Sequence, residues 1–294
     1  MELVRGLTWG RGTADLCRPW PRPDRDIRLR LVGGLAVSRS GQALPAKEVG
    51  SRKARLLLAL LAVDRGRLVT VDRIVDVLWG DRVPRRPAEN VATLVSRLRG
   101  VLGRPAVLGG RTGYRLGELV RVDLSDAAEL VAEAEARLAG GEPASALAAA
   151  RPAVEMLAGG EVLADEPDAP WAEPARATHG MLLRRARHTA AEAALRIGDS
   201  QAARAAAETA AAADPMDEVA HRTLMRAHVA AGEPARALAV YERLRVTLAG
   251  ELGVDPASPT RELHLAILRG SLNRRPARPD RDPPRTVLSL HGTR

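Results

Sequence analysis

Apolar and polar positions alternate along IRLRL, with Ile27, Leu29 and Leu31 set against Arg28 and Arg30. This is the two-residue period of a half-buried strand. Gly33-Gly34 and Ser40-Gly41 supply turn signals, so the pattern predicts a small antiparallel sheet opening an ordered region. The period then lengthens. SRKARLLLALLAVDRG, 51–66, is nearly continuous in apolar residues and predicts a core helix capped by Ser51 and ended by Gly66. Thr70 caps a second helix, whose Val71, Ile74, Val75, Leu78 and Trp79 fall on one stripe. NVATLVSRLRGVLG, 90–103, repeats that stripe with Val91, Leu94, Val95, Leu98 and Leu102. Gly80, Pro84 and Pro87 separate these two helices. After them, RPAVLGGRTGYRLG, 104–117, predicts a hairpin with a basic tip.

Three helices and a basic hairpin outline a winged helix-turn-helix, in which the third helix presents its outer side to a major groove. That side carries Asn90, Thr93, Ser96, Arg97 and Arg104, with Arg99 at its edge. A solvated surface helix is the commoner use of such a face, so the surroundings have to decide. From Ile27 to Gly117 there are 18 Lys plus Arg against 6 Asp plus Glu, a balance of +12; from Asp123 to Gly270 there are 15 against 23, or −8. A basic first half beside an acidic second half is the footprint of local polyphosphate binding.

The second half is alanine-rich and repetitive. RLAGGEPASALAAA at 137–150 returns as HVAAGEPARALAVY at 228–241, with LRIGDSQAARAAA at 195–207 as a looser copy. Gly198 and Gly232 lie 34 residues apart, the tetratricopeptide period. The expected organisation is a leader over 1–26, a winged helix over 27–117, a linker at 118–122, a helical domain over 123–270 and a disordered basic tail over 271–294.

Other chemistry finds little footing. His179, His188, His221, His228 and His264 fall on helices without a HExxH pair, so no metal site is expected, and no cofactor. His221 and His228 are read as repeat-packing residues, Asp165, Glu166 and Asp168 as a polar loop, and Trp171 as that loop's anchor. Cys17 is the single cysteine, and no apolar run approaches the roughly 20 residues of a membrane span, which points to a reducing cytoplasm. No enzymatic activity is expected.

VTVDRIVDVLWG, NVATLVSRLRGVLG and GGRTGYRL occur in order at separations that resemble the DNA-binding domain of OmpR-type regulators. Gly100 departs from the pattern, standing where many relatives carry a basic residue. No receiver domain is present to imply control by aspartate phosphorylation. LADEPDAPWAE at 163–173 and the segment 237–268, with GELGVDP at its centre, resemble the bacterial transcriptional activator domain of Streptomyces antibiotic regulatory proteins. No GxxxxGK[ST] phosphate loop is found, so the chain looks like the short, two-domain form. The implied fold is mainly α with a small β component: an OmpR-like winged helix-turn-helix, then an all-α tetratricopeptide-like domain.

Roles follow as expectations. Arg97 is assigned a base edge, Thr93 a thymine methyl, and Asn90, Ser96, Arg73, Arg111 and Thr112 phosphates. Arg99 either joins them or braces the wing, and Tyr114 wedges the wing on the core. Arg85 and Arg86 lie in the loop that the resemblance places toward RNA polymerase. The resemblance implies an activator of secondary-metabolite genes that binds double-stranded promoter repeats as a homodimer and engages the sigma or alpha subunit of the polymerase. The competing expectation is a helical scaffold or ligand sensor with weak DNA binding.

Overall fold

The computed structural model describes residues 27–271. The expected leader with Cys17, and the tail beyond Ser271, lie outside the described residues. The chain divides into two compact units: one takes in residues up to Ala132 with Pro152–Leu183, the other Glu133–Arg151 with the residues from Arg184.

The first unit opens with β1 (Ile27–Arg30), β2 (Ala36–Arg39) and β3 (Gln42–Leu44), paired antiparallel in succession. Ser40 and Gly41 join β2 to β3 at φ 51° and 81°, the pair of positive values that a two-residue hairpin matched to strand twist requires. The short α1 (Ala46–Val49) leads into α2 (Arg52–Val63), whose cap Ser51 accepts the Ala54 N–H and whose Leu57, Leu58, Leu60 and Leu61 are fully buried. After β4 (Val69–Thr70), Thr70 caps α3 (Val71–Trp79) by accepting the Arg73 N–H. Next comes α4 (Pro87–Leu102), which begins a turn earlier than its apolar stripe because Pro87 suits the first helical position. β5 (Val107–Gly110) and β6 (Gly113–Leu116) form the hairpin, and β6 also pairs with β4. The result is the winged-helix arrangement that the spacing predicts.

The stretch read as a linker behaves differently. β7 (Val120–Val122) lies parallel to β1, extending the sheet to the order β3-β2-β1-β7. Its alternation of buried Val120 and Val122 with half-buried Arg121 is too short to register as a strand from sequence. α5 (Asp123–Ala139) follows without a break. Asp123 accepts the N–H groups of Leu31 and Val32 at 2.9 and 3.0 Å, satisfying β1 beyond its last paired residue. After α6 (Pro143–Leu157), Val162 bridges to Val32, and Leu163 donates its N–H to Leu31 O at 2.8 Å. Arg176, in α7 (Glu173–Arg196), then clamps that loop by donating to the carbonyls of Val162, Glu166 and Pro167. The start of the second half therefore packs into the first unit.

In the second unit, α8 (Ser200–Ala213), α9 (Glu218–Ala230), α10 (Pro234–Leu252) and α11 (Ser258–Leu268) complete the helical repeats. The repeated glycines have one job. Gly141, Gly198 and Gly232 have φ of 80°, 84° and 78°, and at each the following residue's N–H reaches back five residues, to Arg137 O, Ala194 O and His228 O. This is the Schellman termination, in which only glycine enters the left-handed region without strain. The alanines that follow pack tightly, with Ala146, Ala150, Ala203 and Ala237 fully buried. His221 and His228 are buried as repeat packing demands, and His228 also meets Glu233 at 2.9 Å. GVDP ends α10 through Gly253 at φ 68°, and Glu218 then accepts the Ala257 N–H at 3.0 Å and the Thr260 hydroxyl at 2.5 Å.

Thr260 is fully buried, so truncating its partner leaves polar groups unpaired. Glu218→Ala is expected to lower the unfolding free energy by about 1–3 kcal/mol in denaturant titrations. Asp123 yields a pH prediction. Burial pushes its carboxyl above the usual carboxylate range, against the pull of the backbone N–H groups and Arg30. Between the unfolded pKa and that higher folded value, the folded chain holds a proton that the unfolded chain has released. The contribution of this group to stability therefore declines as pH rises through that acidic window. Denaturation midpoints across the window should show that decline, and Asp123→Asn should flatten it.

Candidate nucleic-acid interface

α4 buries Val91, Leu94, Val95, Leu98 and Leu102, the whole stripe seen in the sequence, against α2 and α3. Asn90, Thr93, Ser96 and Arg97 are consequently exposed together on the opposite face. The Thr93 hydroxyl donates to Glu89 O at 2.9 Å, one turn back, so its hydrogen-bonding side is already engaged with the helix. Arg97 has no hydrogen-bond or ion-pair partner among the described residues, and its side chain can extend from the middle of the face.

Arg99 is used otherwise. Its Nε donates to Val107 O at 2.8 Å and its Nη2 to Gly109 O at 3.1 Å, while the guanidinium lies 5.9 Å from the Tyr114 ring centre. Two charge-assisted bonds and a cation–π contact tie α4 to the root of the wing. Of the two roles open to Arg99, the geometry favours bracing. Tyr114 is buried beneath it, as a wedge would be.

The wing itself is tightly built. Gly110 and Gly113 are register partners, so Arg111 and Thr112 alone make the turn, and both are exposed. A Cβ on Gly113 would come within 2.4 Å of Val69 O, and one on Gly117 within 1.8 Å of Pro105 O. These glycines let β6 lie against β4 and let the hairpin close on the segment that follows α4.

The remaining candidates are dispersed. Arg73, half-exposed at the start of α3, pairs with Asp64 at 3.1 Å, so a phosphate there has a carboxylate to displace. Arg85 and Arg86 are exposed in the loop before α4, with Arg86 3.3 Å from Glu89. Lys53 was not marked by its sequence context. Its Nζ donates to Leu78 O at 2.7 Å, meeting the negative end of α3, and sits 4.5 Å from the centre of the Trp79 ring. Burial lowers its pKa. The signal that could have found it is one of the chain's two lysines near an amphipathic helix's end. No group of three or more His, Cys, Asp or Glu able to hold a metal occurs among the described residues, and no described helix is long and apolar enough to cross a membrane.

Comparison with known proteins places this geometry. Residues 122–268 match the bacterial transcriptional activator domain, half of the chain. The regulatory protein AfsR of Streptomyces coelicolor is 34% identical over 83% of this chain, which spans about a quarter of that protein's length, 24%. The regulatory protein DnrI of Streptomyces peucetius is 29% identical over 83% of the chain and 92% of its own length. Among solved structures, Mycobacterium tuberculosis EmbR in complex with a low-affinity phosphopeptide superposes with a TM-score of 0.72 at 29% identity, over 83% of this chain and 65% of its own. The relatives are transcriptional regulators, and the mainly helical fold with a small β component is shared. With an activator domain following a winged helix, the chain belongs to the Streptomyces antibiotic regulatory protein family of transcriptional regulators.

Proposed function

We propose that the chain binds promoter repeats sequence-specifically through α4 and the wing, and activates transcription of a secondary-metabolite gene cluster in the cytoplasm. The observation that carries this reading is the division of labour between two arginines on one helix. Arg99 is held by wing carbonyls, whereas Arg97, two residues earlier, stands exposed without a partner among the described residues. A guanidinium so placed can meet guanine O6 and N7 with both arms. Asn90 and Ser96 flank it for phosphate or sugar contacts, and Arg111 and Thr112 carry the wing tip toward the neighbouring backbone. In this reading the activator domain supports a homodimer on DNA and engages RNA polymerase, with Arg85 and Arg86 as the winged helix's own contribution to that contact. Membership of the Streptomyces antibiotic regulatory protein family supports regulation of antibiotic genes as the biological setting.

Gel-shift titrations over a salt series test the assignment. Arg97→Ala should lower discrimination between the operator and a single-base mismatch by roughly 1–3 kcal/mol, with the salt slope changing little. Arg111→Ala should weaken all sequences alike and reduce the slope by about one. Unchanged discrimination in the Arg97 variant removes it from the reading role. Arg99→Ala should lower the melting temperature as well as affinity, because two wing carbonyls lose their donor. Gly100 is exposed on α4, and a Cβ there meets open space. Gly100→Ala should therefore gain up to about 1 kcal/mol of stability, measurable by denaturant titration, with operator preference unchanged.

A further inference from the structure

Within the first unit, a cavity of about 800 Å3 opens between α2, α3 and the loop preceding α7. Its size falls in the roughly 300–1,000 Å3 range of small-molecule sites. Trp79 and Trp171, two of the chain's four tryptophans, are half-buried in its walls, with Leu56, Leu78 and Pro170 completing the apolar part. The two cations that line it are already committed. Arg52 bonds both carboxylate oxygens of Glu166, at 2.8 and 3.1 Å, and Lys53 is held by Leu78 O and the Trp79 ring. Beyond Glu166, the lining carboxylates are not. Asp76 and Asp168 have no hydrogen-bond or ion-pair partner among the described residues, and Asp165 receives only the Leu35 N–H at 3.4 Å.

Aromatic walls, committed cations and unneutralised carboxylates select for charge and shape together. An anion would be repelled by Asp76 and Asp168, and a neutral ligand would desolvate them without compensation. A flat apolar body bearing an amine satisfies both parts, because indole faces also attract cations. We propose that this cavity binds an amphipathic organic cation, an amine carried on an aromatic body, and that its occupancy fixes the segment 163–171 against α3. α3 lies immediately before the proposed recognition helix, so such a ligand is placed to adjust the regulator. This goes beyond the DNA-binding reading and stands independently of it.

The test uses the full chain without DNA and three isosteric probes: 9-aminoacridine, a cation at neutral pH, acridine, which is neutral, and acridine-9-carboxylate, an anion. Calorimetry should show saturable one-to-one binding of 9-aminoacridine, about tenfold weaker binding of acridine, and none of the carboxylate. Spermidine, a cation without an aromatic body, should not compete. The double variant Asp76→Asn, Asp168→Asn should lose at least about tenfold in affinity while keeping its melting temperature, and Trp171→Leu should weaken the cation as well. Absence of saturable 9-aminoacridine binding, equal binding of the carboxylate, competition by spermidine, or affinity unchanged in the double variant would each overturn the proposal.

Discussion

The first unit depends on how β1 ends. As a central strand it is paired on both sides, by β2 and by β7, but Leu31 and Val32 continue past the last ladder partner while fully buried. Buried backbone N–H groups without acceptors are costly, so the chain has to supply them from elsewhere. Asp123 does so for both N–H groups, and the segment around Val162 and Leu163 meets Leu31 O and pairs with Val32. A strand belonging to the winged-helix half is thus completed by residues from the half that matches the activator domain. The Arg52–Glu166 pair and the Arg176 clamp follow from that arrangement, because they hold the loop whose backbone does the completing.

The second unit rests on repetition. Each repeat ends a helix with the same pair of backwards hydrogen bonds at a glycine and then begins the next with small residues. Neighbouring helices approach closely enough for alanine to fill one part of the core, around Ala150, Ala194 and Ala203, while Leu224, Met225, Tyr241 and Ile267 fill another, so stability accumulates from stacked interfaces. The GVDP turn is where that repetition stops, and it is secured by Glu218, a residue on an earlier helix.

Much of this was legible in the sequence because its signals are local and periodic. The five-residue stripe of α4, the caps Ser51 and Thr70, the wing glycines and the 34-residue spacing each depend on neighbours a few residues away. Long-range pairings were not legible. β7 is three residues long and is a strand only because β1 lies beside it, and Asp123 reads as an ordinary helix-starting acid until its 92-residue partnership with Leu31 is seen. Within the site, the sequence set Arg97 on the outer face for a base edge but left Arg99 between contact and bracing. What separates the two is that β5 carbonyls meet the Arg99 guanidinium and miss that of Arg97. Asp165 and Glu166 were correctly read as loop residues, yet their bonds to Leu35 and Arg52 give that loop its place.

Under the proposed DNA-binding function, the brevity of the wing sets how much information one copy of the protein would extract from DNA. With only Arg111 and Thr112 beyond the strands, the hairpin has little length to probe a second groove. On that proposal, discrimination per copy would rest on a few side chains of α4, each worth roughly 1–3 kcal/mol per base pair. A chromosome presents on the order of a million or more competing sites, and so short a readout cannot single out one address among them. Spelling a longer word requires counting several short ones side by side, which makes the spacing of sites on the DNA as much a part of the message as their letters.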